Sequence, residues 1–397
     1  MYSPKIIKAK AAKIEKLTPL RLKEHSLSEI DYWVERLQAL VPRESTDKNP
    51  ILTRNLREDE QQFIQNEIAM CKISYPYWAT RYGKIKTDKG GLARIKFWES
   101  QEMLLSTIGA LEEMGLPILI MNLKARQVGS STVSESILTH KVTNNHGITS
   151  LVASDEPPKS EFLFNMMGRI LEHLPFYLKP HRKYEVKGQQ LVFDQLDSHI
   201  FVDSGNKRTG GIGQGMTVHC GHLSELATWN NPEMISEDLI PAILSGASPN
   251  TFFILESTAK GRSGSWYMWW KACKRKKFHG FVPVFIPWWA IKEKYAANPE
   301  LGWGPSERVL KLAQMLHNLK GVDLTRKQMY WWDKTYESYK EEDRLDAFFA
   351  EYASDDDEAF QLSGRTVFPL EKLNDLRRNA KAQPIAIYEL QERLILK

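Results

Sequence analysis

Cysteine is scarce: Cys71, Cys220 and Cys273 are the three in 397 residues, far apart and without a C-x-x-C spacing. That argues against a disulfide frame and a cysteine zinc site, and it suits a reducing compartment. No run of 18 apolar residues occurs, so no membrane span is expected. The opening Met1-Tyr-Ser-Pro-Lys-Ile-Ile-Lys8 lacks the apolar region of a signal peptide. Neither sign of charge dominates, with 54 Lys and Arg against 49 Asp and Glu and a net +5. Total charge therefore does not nominate nucleic acid; local clusters have to. Repeats and low-complexity tracts are missing too, and no residue pattern supports haem or flavin.

What is present centres on residues 116–139. Leu116 to Leu123 is almost wholly apolar, too short for a good helix, and preceded by Gly115. It reads as a strand buried on both faces, as in the middle of a parallel sheet. Lys124-Ala-Arg-Gln-Val-Gly129-Ser-Ser-Thr132 follows, with a helix expected from Ser131 onward. Strand, tight loop and helix N-terminus is the layout that cradles phosphates, because free amides and the helix dipole converge there. Against the template G-x-x-x-x-G-K-[ST], Gly129 and Ser131 fit. Ser130 stands where the lysine belongs, and Lys124 stands where the first glycine belongs.

The flanks read as α/β. Residues 1–60 form a polar arm with a helical pattern at Ile30, Trp33, Leu37 and Leu40, and Glu58 to Cys71 is helical until Tyr75-Pro-Tyr-Trp78 ends it. Lys84 to Arg94 suits a hairpin. Phe97-Trp-Glu-Ser-Gln101 leads into a helix through Leu104, Leu105, Ile108 and Leu111. Strands are expected at 148–153, 190–193 and 198–202, with a helix over Lys159 to His173 whose core positions are Phe162, Phe164, Met167, Ile170 and Leu171. The alternation predicts a largely parallel sheet. Asp203 to Gly215 is a loop with five glycines and Arg208 at its centre. Thr217 to Leu223 is then a strand ending in Ser224-Glu225, an apolar strand that delivers an acid to the sheet edge where such folds bind ligands. Ser224 equally fits a plain helix cap. Thr251 to Leu255 is another buried-type strand, followed by Glu256-Ser-Thr-Ala-Lys-Gly261. Lys271-Ala-Cys-Lys-Arg-Lys-Lys277 ends the next helix, with five basic residues in seven. It suits either DNA phosphates or a solvated helix end that complements its dipole.

The displaced lysine, the aromatic pair before Gln101, Ser224-Glu225-Leu-Ala, Ser257-Thr258 and the segment Phe349 to Phe368 occur in an order that resembles phage large terminase subunits over residues 60–368. The Walker A loop resembled is the deviant kind, with its basic residue at the front. The resemblance implies a P-loop NTPase of the additional-strand, catalytic-Glu type, arranged as a helical arm (1–60), an ATPase core (61–290), a lid or linker (291–368) and a helical tail (369–397), without the family's nuclease. It implies ATP and Mg2+ as cofactors. Amides of Gln127, Val128, Gly129, Ser130, Ser131 and Thr132 would hold phosphates, Lys124 would neutralise the β/γ oxygens, and Gln101 would read adenine. Ser131 would take magnesium, Ser224 a magnesium-bound water, and Glu225 the attacking water. Ser257 and Thr258 would couple loss of the γ-phosphate to movement. Arg126 is left between a phosphate and Glu225, and Arg208 is the candidate finger for a neighbouring subunit. The implied activity is ATP-driven packaging of double-stranded DNA into a procapsid in the cytoplasm of an infected bacterium. The implied partners are a portal, a small terminase subunit and copies of the chain in a ring, with a pentamer expected and no membrane. Another DNA-dependent ATPase, such as a helicase or recombinase, and a non-enzymatic DNA- or portal-binding scaffold remain the alternatives.

Overall fold

Two capped helices open the structure because Ser26 and the Arg57–Glu60 pair supply their N-terminal hydrogen bonds: α1 (Leu27–Gln38) and α2 (Glu58–Ile73). The computed structural model describes residues 22–42, 50–87, 90–180, 184–186 (backbone alone), 190–206, 212 and 217–360. In α1, Ile30 and Leu37 are fully buried, as their spacing predicts. Glu60 on α2 receives Arg36 of α1 at 3.1 Å and Arg54 at 2.7 Å, which ties the two helices together.

The helix through Cys71 ends at Ile73, just before Tyr75-Pro-Tyr-Trp78, as expected, but that segment is itself helical. Ser74 caps a new helix, α3 (Tyr75–Tyr82), by accepting from the Tyr77 amide, and Pro76 sits in its first turn, where a missing N–H costs nothing. The hairpin of β1 (Lys84–Lys86) and β2 (Leu92–Arg94) follows, then α4 (Glu99–Glu113).

The sheet begins with β3 (Ile118–Lys124), every residue of which is buried. In chain order come α5 (Ser130–Asn144), β4 (Thr149–Ser154), α6 (Pro157–Glu172), β5 (Tyr184–Val186), β6 (Gln190–Phe193), β7 (Ser198–Ser204), β8 (Cys220–Leu223), α7 (Ile240–Ser245), β9 (Phe252–Ser257), α8 (Gly264–Lys274) and β10 (Val282–Ile286). The strands lie in the order β10-β3-β9-β8-β4-β7-β6-β5. The six from β10 to β7 are parallel, and β6 and β5 extend the sheet antiparallel. Alternation along β3 feeds both layers: Ile118 and Ile120 enter one apolar core, while Leu119, Met121 and Leu123 enter the other.

In α6, Leu163, Phe164, Met167, Ile170 and Leu171 are buried, but Phe162 is 63% exposed and is not the core residue its position suggested. The apolar face runs through 163 and 164, which turns 162 outward. Beyond β10, α9 (Glu307–Lys320), α10 (Arg326–Glu341), α11 (Leu345–Glu351) and α12 (Asp356–Ala359) pack through aromatic contacts such as Trp332–Phe348 and Tyr295–Trp331. No described helix is long and apolar enough to cross a membrane.

Candidate nucleotide site

The loop between β3 and α5 is built around a glycine that cannot be replaced cheaply. Gly129 sits at φ 76°, the left-handed region, and a Cβ there would lie 2.5 Å from Nε2 of Gln101. The N-terminal turn of α4 is bolted to the loop. Ser100 Oγ donates to the Val128 carbonyl at 2.8 Å, and Gln101 Nε2 donates to the Gly129 carbonyl at 2.9 Å. Gln101 Oε1 accepts from the Trp98 amide at 2.9 Å, so both ends of its amide are engaged in shaping the loop. Gln127 adopts φ 53°, a costly conformation for a side chain of that size, and Val128 is buried beneath the turn.

Ser130, in the usual lysine position, points inward and accepts from Asn122 Nδ2 of β3 at 2.6 Å. Ser131 points to the sheet edge and donates to Glu256 Oε1 at 2.7 Å. Thr132 is half-buried beside it.

The displaced lysine lies inside the site. Lys124 is 7% exposed, and its Nζ stands 3.3 Å from Glu225 Oε1. Burial opposes its charge, but Glu256 and Glu225 beside it more than offset that and raise its pKa. Glu225 follows β8 at φ 57°, left-handed and non-glycine. Four bonds hold that turn: Trp229 Nε1 to the Ser224 carbonyl at 3.0 Å, Thr228 Oγ1 to the Glu225 carbonyl at 2.7 Å and to Asp155 Oδ2 at 2.9 Å, and the Ala227 amide to Ser257 Oγ at 3.1 Å. Such strain persists only when its surroundings over-determine it, and it concentrates at functional sites. Glu225 is 31% exposed and so reaches the cleft. Ser257 lies buried at the end of β9, and Thr258 is half-buried after it.

Arg126 pairs with neither Glu225 nor the loop. Its Nη1 meets Glu351 Oε2 of α11 at 2.9 Å, its amide donates to the Glu351 carbonyl at 2.8 Å, and the Tyr295 hydroxyl donates to its carbonyl. Arg208, and residues 361–368 of the last expected segment, lie outside the described residues.

A buried charged chain that the sequence reading did not assemble runs beneath the loop. His222 of β8 has Nδ1 at 2.6 Å from Glu135 Oε1 of α5 and Nε2 at 3.2 Å from Glu256 Oε1 of β9. Burial alone would lower the His222 pKa, but Glu256 and Glu135 lift it to about 10. Burial would raise Glu256, yet Lys124 and then His222 hold it well below the carboxylate range. Burial raises Glu135, with His222 as the counterweight. The signal for these residues was an acid or imidazole at core positions of apolar strands and inside a helix. Their meeting depends on β9 lying between β3 and β8.

Among the described residues, no group of three or more His, Cys, Asp or Glu gathers as a metal cage. A magnesium ion sharing its shell with phosphates and water needs only one or two carboxylates plus a hydroxyl. Ser131, beside the buried acid Glu256, fits that donor set.

Strand order and loop together define a P-loop NTPase-like fold, with one strand inserted between the loop strand β3 and the acid-bearing strand β8. No family model matches the chain, and no curated protein does. Among solved structures it is similar to the HK97 bacteriophage large terminase, at TM-score 0.46 and 16% identity over 69% of this chain and 54% of that one. It is also similar to the Thermus phage P74-26 large terminase ATPase domain, at TM-score 0.34 and 14% identity over 49% of this chain and 88% of that one. A large terminase from a thermophilic bacteriophage, in complex with ADP, matches at TM-score 0.36 and 10% identity, over 48% of this chain and 46% of that one. The chain thus spans about half the length of the HK97 protein and of the ADP-bound one.

Proposed function

We propose that the chain is an ATPase that drives double-stranded DNA into a phage procapsid, the motor of a large terminase. The observation that carries the ATPase reading is the position of Lys124. A cation that enters from the front of a phosphate-type loop lies buried in the cleft against the strained Glu225. The ordered motifs that resemble large terminases support the packaging role.

Phosphoryl transfer rests on positioning and charge neutralisation. The amides around Val128 to Thr132 at the start of α5 bind phosphate oxygens, and Lys124 neutralises the β- and γ-phosphates. Ser131 would hold magnesium bound with nucleotide, where the ion would supply charge neutralisation to the phosphates, and Ser224 would order its water shell. Glu225 accepts the proton of the attacking water and aims it. Ser257, bonded to the turn that carries Glu225, transmits the state of the γ-phosphate together with Thr258. Through Arg126, the front of the loop is clasped to α11, so residues 291–360 form the part that moves with the loop. Arg208 acts as a finger on a neighbouring subunit's nucleotide, a contribution of about 10³–10⁵ in rate. The ring on a portal, with the small subunit delivering duplex DNA, is part of the same proposal.

A steady-state ATPase assay with and without duplex DNA tests this. Mg2+-dependent hydrolysis stimulated by blunt duplex, with no strand separation on a forked substrate, is expected. Absence of hydrolysis under every condition would leave a scaffold with a degenerate site, and unwinding would point to a helicase. Mixing Arg208→Ala with wild-type protein should depress activity more than in proportion; strictly proportional loss would remove the finger.

A further inference from the structure

The end of β8 offers magnesium a serine, Ser224, where a P-loop NTPase ordinarily has an aspartate. A carboxylate nevertheless stands at that place, and it comes from the next strand. Glu256 of β9 pairs with Asn122 of β3 in register on one side, and β8 lies on the other. Its Oε1 accepts from Ser131 Oγ at 2.7 Å and from Ser224 Oγ at 3.0 Å, so one acid joins the loop hydroxyl to the position of the absent aspartate. The side chain is fully buried, and its second oxygen, Oε2, has no hydrogen-bond partner. A buried carboxylate oxygen without a donor is costly unless something positive or protic completes it.

We propose that Glu256 supplies, from β9, the magnesium-side carboxylate that β8 lacks, with Ser131 as its partner and the His222–Glu135 pair as the brace behind it. The inference rests on the nucleotide reading of the loop. It assigns separate work to two acids on neighbouring strands: Glu225 faces the water and Glu256 faces the cation. The brace has a plain physical reason. A carboxylate that tunes a metal shell must not rotate, and His222 holds Glu256 in place while Glu135 fixes the imidazole.

The test is an equilibrium titration of the full chain with a fluorescent ADP analogue, with and without Mg2+, alongside thermal melting to verify folding. In the wild type, Mg2+ should tighten binding by about tenfold, equivalent to about 1.4 kcal/mol. Glu256→Gln should reduce that enhancement, read as the ratio of the Kd values with and without Mg2+, to within about twofold. Adding Ser224→Asp to Glu256→Gln should restore the enhancement, by returning a carboxylate from the β8 side. A Glu256→Gln variant that folds and keeps the wild-type Mg2+ effect overturns the proposal while leaving the nucleotide reading intact. If Glu256→Gln does not fold, Glu256→Asp serves, since it keeps the charge and withdraws the carboxylate by one methylene. An undiminished Mg2+ effect there also overturns the proposal. A wild type that binds no nucleotide with or without Mg2+ fells the nucleotide reading first, and this inference with it.

Discussion

Two acids end neighbouring strands and share one lysine, yet their surroundings differ in almost every respect. Glu225, after β8, is 31% exposed, sits on left-handed backbone and meets Lys124 at 3.3 Å. Glu256, at the end of β9, is fully buried on regular strand backbone, accepts from two hydroxyls and lies against a histidine. The difference teaches how one sheet edge divides its chemistry. On the proposed reading, an acid that activates water needs solvent contact and a fixed direction, and the strained turn of Glu225 would supply both. An acid that must keep its charge in a sealed place needs cations around it, and Lys124 and His222 supply them.

A large expected effect on turnover separates the two directly. Glu225→Gln should lower kcat by about 10²–10⁴ and leave Mg2+-nucleotide affinity unchanged, since it removes a group needed only in the transition state. Single-turnover hydrolysis beside equilibrium binding checks it, and equal losses in both would erase the distinction. Lys124→Ala should abolish hydrolysis and also lower stability by about 3–5 kcal/mol, because it leaves the buried Glu256 without its main counter-charge. Denaturant unfolding measures the second part; unchanged stability would mean that Lys124 does not hold Glu256.

Gly129→Ala comes next. The αL backbone costs about 1–2 kcal/mol for an alanine, and the new Cβ displaces the Gln101 amide. Nucleotide affinity should fall without a change in the pH profile of kcat, as titration calorimetry and initial rates would show. The smallest effect on the site should come from Glu60→Gln, a control for burial alone. Arg54 foremost holds this sealed acid at about 2, against the opposing pull of burial. Its contribution to stability is present above about pH 4.5 and lost as pH falls through about 2. The variant should therefore melt lower than the wild type at neutral pH, with the gap closing in strong acid, while ATPase rate and Mg2+ dependence stay put. A catalytic defect there would show that sealed acids matter only through the fold.

The loop and the strands around it were legible in the sequence because their signals are local. The apolar run into Lys124, the glycine of the turn and the Ser224-Glu225 ending all act within a few residues. Phe162 misled because one helical face can be drawn through either 162 or 163 until its neighbours are known. Tyr75-Pro-Tyr-Trp78 marks the end of α2, but its own helix was not legible, because proline ends a helix and also begins one. The partners of Glu256 were not legible at all. Asn122, Ser131, His222 and Ser224 surround it, with Glu135 behind, only once β9 is known to lie between β3 and β8, and no spacing along the chain encodes that order. Gln101 shows the same limit, since only the fold reveals that its amide bonds the Gly129 carbonyl and the Trp98 amide.

One measurement reaches the centre of the account: a crystal structure of the chain with Mg2+ and a nonhydrolysable ATP analogue. It should show Lys124 Nζ within hydrogen-bond distance of a β- or γ-phosphate oxygen, with Glu225 across the cleft from it. Phosphates bound elsewhere, or on the loop with Lys124 still turned to Glu225 and away from them, would contradict the claim that this lysine does the work of the missing one.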